Sequence, residues 1–167
     1  KNGADYIITQ MFFDNQKFFD FVAKCRAAGI TVPIIPGLKP IATKKQLNLI
    51  PHRFSVELPD DLIMAVVKAK NNDAVKQIGI EWCTQQSKEL VAAGIPVLHY
   101  YSMGKAENIK TIANSLGLSG SLEEQLDGLI KNLYRFFVEK DASLLEINPL
   151  IITDTKKLIC LDAKVNF

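Results

Sequence analysis

The apolar positions of this chain change rhythm several times, and each change marks an element. DYIITQ is a short β-branched and aromatic run behind a glycine, which predicts a buried strand ending at the polar pair Thr9 and Gln10. In the stretch that follows, Phe18, Phe21, Val22 and Cys25 recur at helical spacing on one face. Asp14 stands where a side chain can accept from the free N–H groups of a helix start, and Gly29 where a helix stops. ITVPIIPG predicts a second strand, stopped by Pro36 and Gly37. ATKKQLNLI predicts a short helix starting at Thr43, and PDDLIMAVVKAK another behind Pro59. NDAVKQIGIEWCTQQSKELVAAG predicts a long helix with Gly94 as its stop, and IPVLHYYSM a third strand. Strands separated by helices imply parallel pairing with helical crossovers, an α/β fold.

After Gly104 the texture changes. KAENIKTIANSLGL reads as a helix ended by a GLSG turn. A second helix begins with a capping box, Ser121 and Glu124, and carries an apolar stripe of Leu122, Leu126, Leu129, Leu133 and Phe136 or Phe137. ASLLEINPLIIT and LICLDAKVNF then read as two strands joined by the polar turn DTKK, a hairpin rather than a crossover.

Composition narrows the possibilities. A length of 167 residues fits one ordinary domain or two small ones, and 48% hydrophobic with 23% charged residues excludes a wholly disordered chain. The net charge of +2 is mixed in sign along the chain, without a basic stripe, so no nucleic-acid partner is expected. Cys25, Cys83 and Cys160 are odd in number, far apart and set among apolar residues. They are expected to be reduced and buried, which suits a cytoplasmic location. No apolar run approaches the ~20 residues that span a bilayer, so no membrane segment is expected. The chain opens on KNGADYIITQ, a helix end running into a strand, and residue 1 therefore does not read as a natural beginning.

Gln10, the Pro36–Pro40 loop and the loop over 100–105 all fall at C-terminal ends of consecutive strands, the face that carries active sites in a (β/α)8 barrel. Pattern alone leaves open that Gln10 merely closes a strand and Asp14 merely caps a helix. The wording of GADYIITQMFFD, CRAAGITVPIIPGLKPI and LHYYSMGKAEN goes further: residues 1–110 resemble the C-terminal part of methylenetetrahydrofolate reductase. The resemblance implies the last three βα units of a (β/α)8 barrel that binds FAD. It also implies transfer of hydride from NAD(P)H to 5,10-methylenetetrahydrofolate, an oxidoreductase step of one-carbon metabolism and methionine biosynthesis. Carried over by position, Gln10 and Gln46 contact the pterin of the tetrahydrofolate substrate, and Lys105 meets a carboxylate of its glutamate tail. Leu49 or Ile50 stands where the family has an aromatic residue, and Lys105 where it usually has arginine. With about three of the eight strands, and without the family's catalytic acid or FAD contacts, this chain is expected neither to bind FAD nor to turn over.

LLEINPL and LICLDAKVNF place Asn148 and Asp162 near matching positions on paired strands. An amide oxygen and a carboxylate are hard ligands that suit Mg²⁺, although a strand-end turn at Asn148-Pro149 and a solvated Asp162 account for the spacing as well. LYRFFVEKDASLLEINPLIIT and LICLDAKVNF are similar to the ATP-grasp domain of the succinyl-CoA synthetase β subunit, over residues 111–167. That resemblance implies that Asn148 and Asp162 hold Mg²⁺, that Glu146 lies in the nucleotide site, and that a ligase α subunit is the partner. The stretch NIKTIANSLGLSG is then a seam between two families. Three readings follow: a folate reductase segment, an acyl-CoA ligase segment binding Mg-nucleotide, or a non-catalytic chimeric α/β module.

Overall fold

The computed structural model describes residues 3–101, 106–117, 121–147, 150–152, 157–160 and 163–167. It divides into two compact units, residues 1–116 and 117–167. In the first, β1 (Ile7–Met11), α1 (Asn15–Ala27), β2 (Ile34–Leu38), α2 (Gln46–Phe54), α3 (Asp60–Lys68), α4 (Asn72–Ala92), β3 (His99–Tyr100) and α5 (Ala106–Ser115) follow in order. The strands form one parallel sheet in the order β1-β2-β3, so the α/β expectation holds for this unit.

Local chemistry sets most boundaries where the pattern puts them. Asp14 accepts from the Gln16 N–H at 2.9 Å and opens α1, while Gly29 leaves it at φ +78°. Asn71 accepts from the Ala74 N–H at 2.9 Å and opens α4, and Gly94 ends it at φ +82°. Four expectations need correction. Phe21 is 44% exposed, so the inward face of α1 is Phe18, Val22 and Cys25. β2 is not stopped by Pro36 and Gly37 but runs through them to Leu38. The pairing register with β1 shifts between Ile8 and Met11, opposite Pro36, so the missing proline N–H falls at an irregularity. The Gly37 N–H donates to the Thr9 hydroxyl instead of to a ladder carbonyl. α2 starts at Gln46 rather than Thr43 and continues past Pro51 to Phe54. β3 has only two residues.

Apolar side chains pack on both sides of the strand ends. Phe18, Leu38, Ile80, Leu90 and Ile112 fill the layer among the sheet, α1, α4 and α5. Met11, Ile41, Ile50, Leu62, Val66 and Val75 fill a second cluster under α2, α3 and α4. The second cluster holds the loop after β2 against α4, which fixes the end of the sheet where Gln10 lies.

The second unit contains α6 (Ser121–Glu139) and the strands β4 (Leu144–Ile147), β5 (Leu150–Ile152), β6 (Leu158–Cys160) and β7 (Ala163–Asn166). Leu122 is buried, and Leu126, Leu129, Leu133 and Phe137 are half-buried. Phe136 is the exposed member of the aromatic pair, which settles which of the two continues the stripe. β4 pairs antiparallel with β7, and β5 with β6, so each expected long strand is described as two shorter ones. Ile147 pairs with Ala163 and Leu150 with Cys160, which is one common register. The Ser121 side chain of the expected capping box and residues 154–156 of the expected turn lie outside the described residues. Cys25, Cys83 and Cys160 are free, but Cys160 is only half-buried, since a two-stranded ladder gives it little cover. Among the described residues no helix is long and apolar enough to cross a membrane.

Candidate functional site at the C-terminal edge of the sheet

Parallel sheets gather ligands at the carboxyl ends of their strands, where backbone groups and loops converge. Here that edge carries Thr9 and Gln10 from β1, Gly37 and Lys39 from the end of β2, and His99 and Tyr101 from the end of β3. A ring of hydrogen bonds fastens the three strands. The Gly37 N–H donates to Thr9 Oγ1 at 2.9 Å, the Tyr101 hydroxyl donates to the Thr9 carbonyl at 2.9 Å, and Lys39 Nζ donates to the Tyr101 carbonyl at 3.5 Å. Glycine is needed at 37, because a Cβ there would lie 2.4 Å from the Thr9 carbonyl oxygen and 2.7 Å from the Tyr101 ring. The Tyr101 ring in turn meets His99 edge-on, with centroids 4.5 Å apart.

A second network pins the loop just beyond Gln10. Trp82 of α4 donates its indole N–H to the Phe13 carbonyl at 3.0 Å. Asn15 donates to the Gln86 carbonyl at 3.1 Å and to Glu89 at 2.8 Å, and Gln86 returns a bond to Asn15 Oδ1 at 3.2 Å. Because Asn15 and Gln86 are buried, these bonds replace water and hold the loop in one geometry.

Gln10 itself is exposed, and its side-chain oxygen accepts from the neighbouring Met11 N–H at 3.1 Å, while its amide NH₂ has no partner among the described residues. Gln46 is half-buried, and its oxygen accepts from the Ala42 and Thr43 N–H groups at 2.6 and 3.2 Å. It shapes the loop after β2 and keeps only its NH₂ for a ligand. Of the two candidates at the family's aromatic position, Leu49 is 50% exposed and Ile50 is core. Lys105, Asn148 and Asp162, and the Glu146 side chain, lie outside the described residues.

Sequence reasoning missed Lys39, Tyr101 and the Asn15–Gln86 pair. Lys39 had a signal, a single cation inside the apolar run VPIIPGLKPI. It is 6% exposed, and burial pushes its amine below the ordinary lysine value, partly offset by nearby Cys83. The pairing of Asn15 with Gln86 spans 71 residues and had no local signal.

A flavin pyrophosphate usually sits on free N–H groups at a helix start or a glycine-rich turn. Here Asp14 occupies the start of α1, and Gln46 occupies the N–H groups before α2. These two helix starts therefore offer no free set of N–H groups to a flavin pyrophosphate, and no step is routed through FAD. No group of three or more His, Cys, Asp or Glu able to hold a metal ion occurs among the described residues.

The family described as methylenetetrahydrofolate reductase matches residues 1–117. Methylenetetrahydrofolate reductase 1 of Schizosaccharomyces pombe is 36% identical over 129 residues, 77% of this chain and 21% of that protein. The chain thus spans about a fifth of that relative's length. The ADP-forming succinate–CoA ligase subunit beta of Alkaliphilus oremlandii is 52% identical over 58 residues, 35% of this chain and 15% of that protein. Among solved structures, an uncharacterized protein from Clostridium thermocellum that binds two copies of 5-methyl-5,6,7,8-tetrahydrofolic acid aligns at TM-score 0.44 and 20% identity, over 70% of this chain and 43% of that one. So loose a likeness says nothing about the ligands of this chain.

Proposed function

The chain belongs to the methylenetetrahydrofolate reductase family, and we propose that residues 1–110 are the last βα units of a reductase barrel and seat its folate. In this reading the substrate is 5,10-methylenetetrahydrofolate, the product is 5-methyltetrahydrofolate, and NAD(P)H is the reductant. Gln10 and Gln46 meet the pterin, and Lys105 a carboxylate of the glutamate tail. The family's flavin chemistry is assigned to no residue of this chain. The supporting observation is Gln10. It is exposed at the C-terminal end of β1, its NH₂ has no partner among the described residues, and the loop behind it is pinned by Trp82, Asn15 and Gln86. An amide suits the task because it offers a donor and an acceptor to the edge of a flat heterocycle. Equilibrium dialysis with labelled 5-methyltetrahydrofolate tests the reading. The wild-type chain should bind saturably, and Gln10→Ala should weaken binding about tenfold, the worth of one buried hydrogen bond. A Gln10→Ala chain that binds as tightly as wild type would sink it.

A 52% match to a ligase β subunit over 58 residues of the chain supports a second reading, which we propose for residues 111–167. Here the segment is an acyl-CoA ligase piece, with Asn148 and Asp162 holding Mg²⁺, Glu146 in the nucleotide site and a ligase α subunit as partner. The common register of the two ladders on either side of those positions supports it too. Mg-ADP titration should give binding that Asp162→Ala abolishes, and equal binding by both chains would contradict it.

A further inference from the structure

Among the described residues of the first unit, Lys39 is the one buried residue that carries a charge. Its ammonium carries three N–H donors, and among the described residues its one hydrogen-bond partner is the Tyr101 carbonyl at 3.5 Å, the outer limit of a hydrogen bond. No carboxylate among the described residues pairs with it. The ion pairs of this unit, Lys17 with Glu57 and Lys76 with Glu107, are exposed and elsewhere. A desolvated cation with so little compensation costs stability, so its presence asks for an acceptor that the protein does not supply. Gly37 pairs with Met11 on one side and His99 on the other, and Lys39 follows the last residue of β2, so it stands at the same end of the sheet as Gln10. It is level with the ends of β1 and β3, one strand away from Gln10.

We propose that Lys39 is a ligand-contact residue whose ammonium donates to the acceptor oxygen of the pterin ring that Gln10 meets. The inference rests on the folate reading of the site. Two probes separate the pterin from the glutamate tail: 5-methyltetrahydrofolate, and 6-methyltetrahydropterin, which lacks the tail. Calorimetric titration of both into wild type, Lys39→Met and Lys39→Gln is combined with thermal melts. Both variants should bind both probes about tenfold more weakly, as expected for loss of a charge-assisted hydrogen bond. Lys39→Met should melt at the same temperature as wild type or a few degrees higher, because a buried unpaired charge has been replaced by an apolar chain of similar length. A purely structural lysine would give the opposite melt.

Weaker folate binding with unchanged pterin binding would mean that the partner is a tail carboxylate and would overturn the assignment. Variants that bind as wild type, or that both melt well below it, would overturn it and leave the folate reading standing. If the wild-type chain binds neither probe, the folate reading falls and this inference with it.

Discussion

A Cβ built on Gly79 would lie 1.8 Å from the Ile41 carbonyl oxygen, whereas one built on Gly128 would meet nothing within 4 Å. Both glycines are inside helices, where alanine is intrinsically favoured by up to about 1 kcal/mol. The two substitutions should therefore move stability in opposite directions. Gly79→Ala forces α4 off the backbone of the loop after β2 and should cost roughly 1–3 kcal/mol. Gly128→Ala should gain about 0.5–1 kcal/mol. Urea midpoints of the two variants check the pair of signs. Cysteine chemistry divides at the same scale. Burial pushes the Cys83 thiol up to about 12, with the Ser87 hydroxyl and Lys39 only partly offsetting it, so Cys83 should label far more slowly than Cys160 with iodoacetamide at pH 8. The shift also has a sign for stability. The folded-state value lies above the unfolded one, near 9, so stability should be intact below pH 9 and fall as pH rises toward 12. Half-buried Tyr100, also raised by desolvation, adds to the fall. Melts across pH 8–11 read it directly. Composition made the burial of Cys25 and Cys83 legible, but Cys160 sits in an equally apolar sequence and is half-buried, because cover depends on what packs across the strand.

Elements were legible where a local device sets them. Asp14 and Asn71 cap helices through their own side chains, and Gly29 and Gly94 end them in the left-handed region, so short-range chemistry decides those boundaries. Asp14→Ala should cost about 1 kcal/mol, the usual worth of an N-cap, measured as a lower urea midpoint. It should also loosen the loop that follows Gln10. Elements were illegible where a distant contact overrides the local signal. Pro36 and Gly37 read as a stop, yet β2 continues because the register shift with β1 absorbs the proline and the Thr9 hydroxyl takes up the Gly37 N–H. Tyr101→Phe removes the hydroxyl that ties β3 to the Thr9 carbonyl. Expected is a loss of about 1 kcal/mol in stability, seen as a lower melting temperature, together with faster amide exchange at the ends of β1 and β3.

At the scale of the molecule, the two compact units divide after Leu116, and α5 packs chiefly against α4. Helical pattern runs through both sides of the GLSG turn without a proline, so only the wording of the flanking stretches suggested a seam there. The candidate folate site was half legible: Gln10 and Gln46 could be placed by wording, while Lys39 and Tyr101 emerge only once three strands lie side by side. The central claim is that the C-terminal edge of the first unit seats a reduced folate. Hydrogen–deuterium exchange with and without saturating 5-methyltetrahydrofolate tests it most directly. The account predicts protection confined to peptides covering residues 9–15, 37–46 and 99–101, with none over 121–147. Protection confined to 121–147, or none anywhere at saturation, would contradict it.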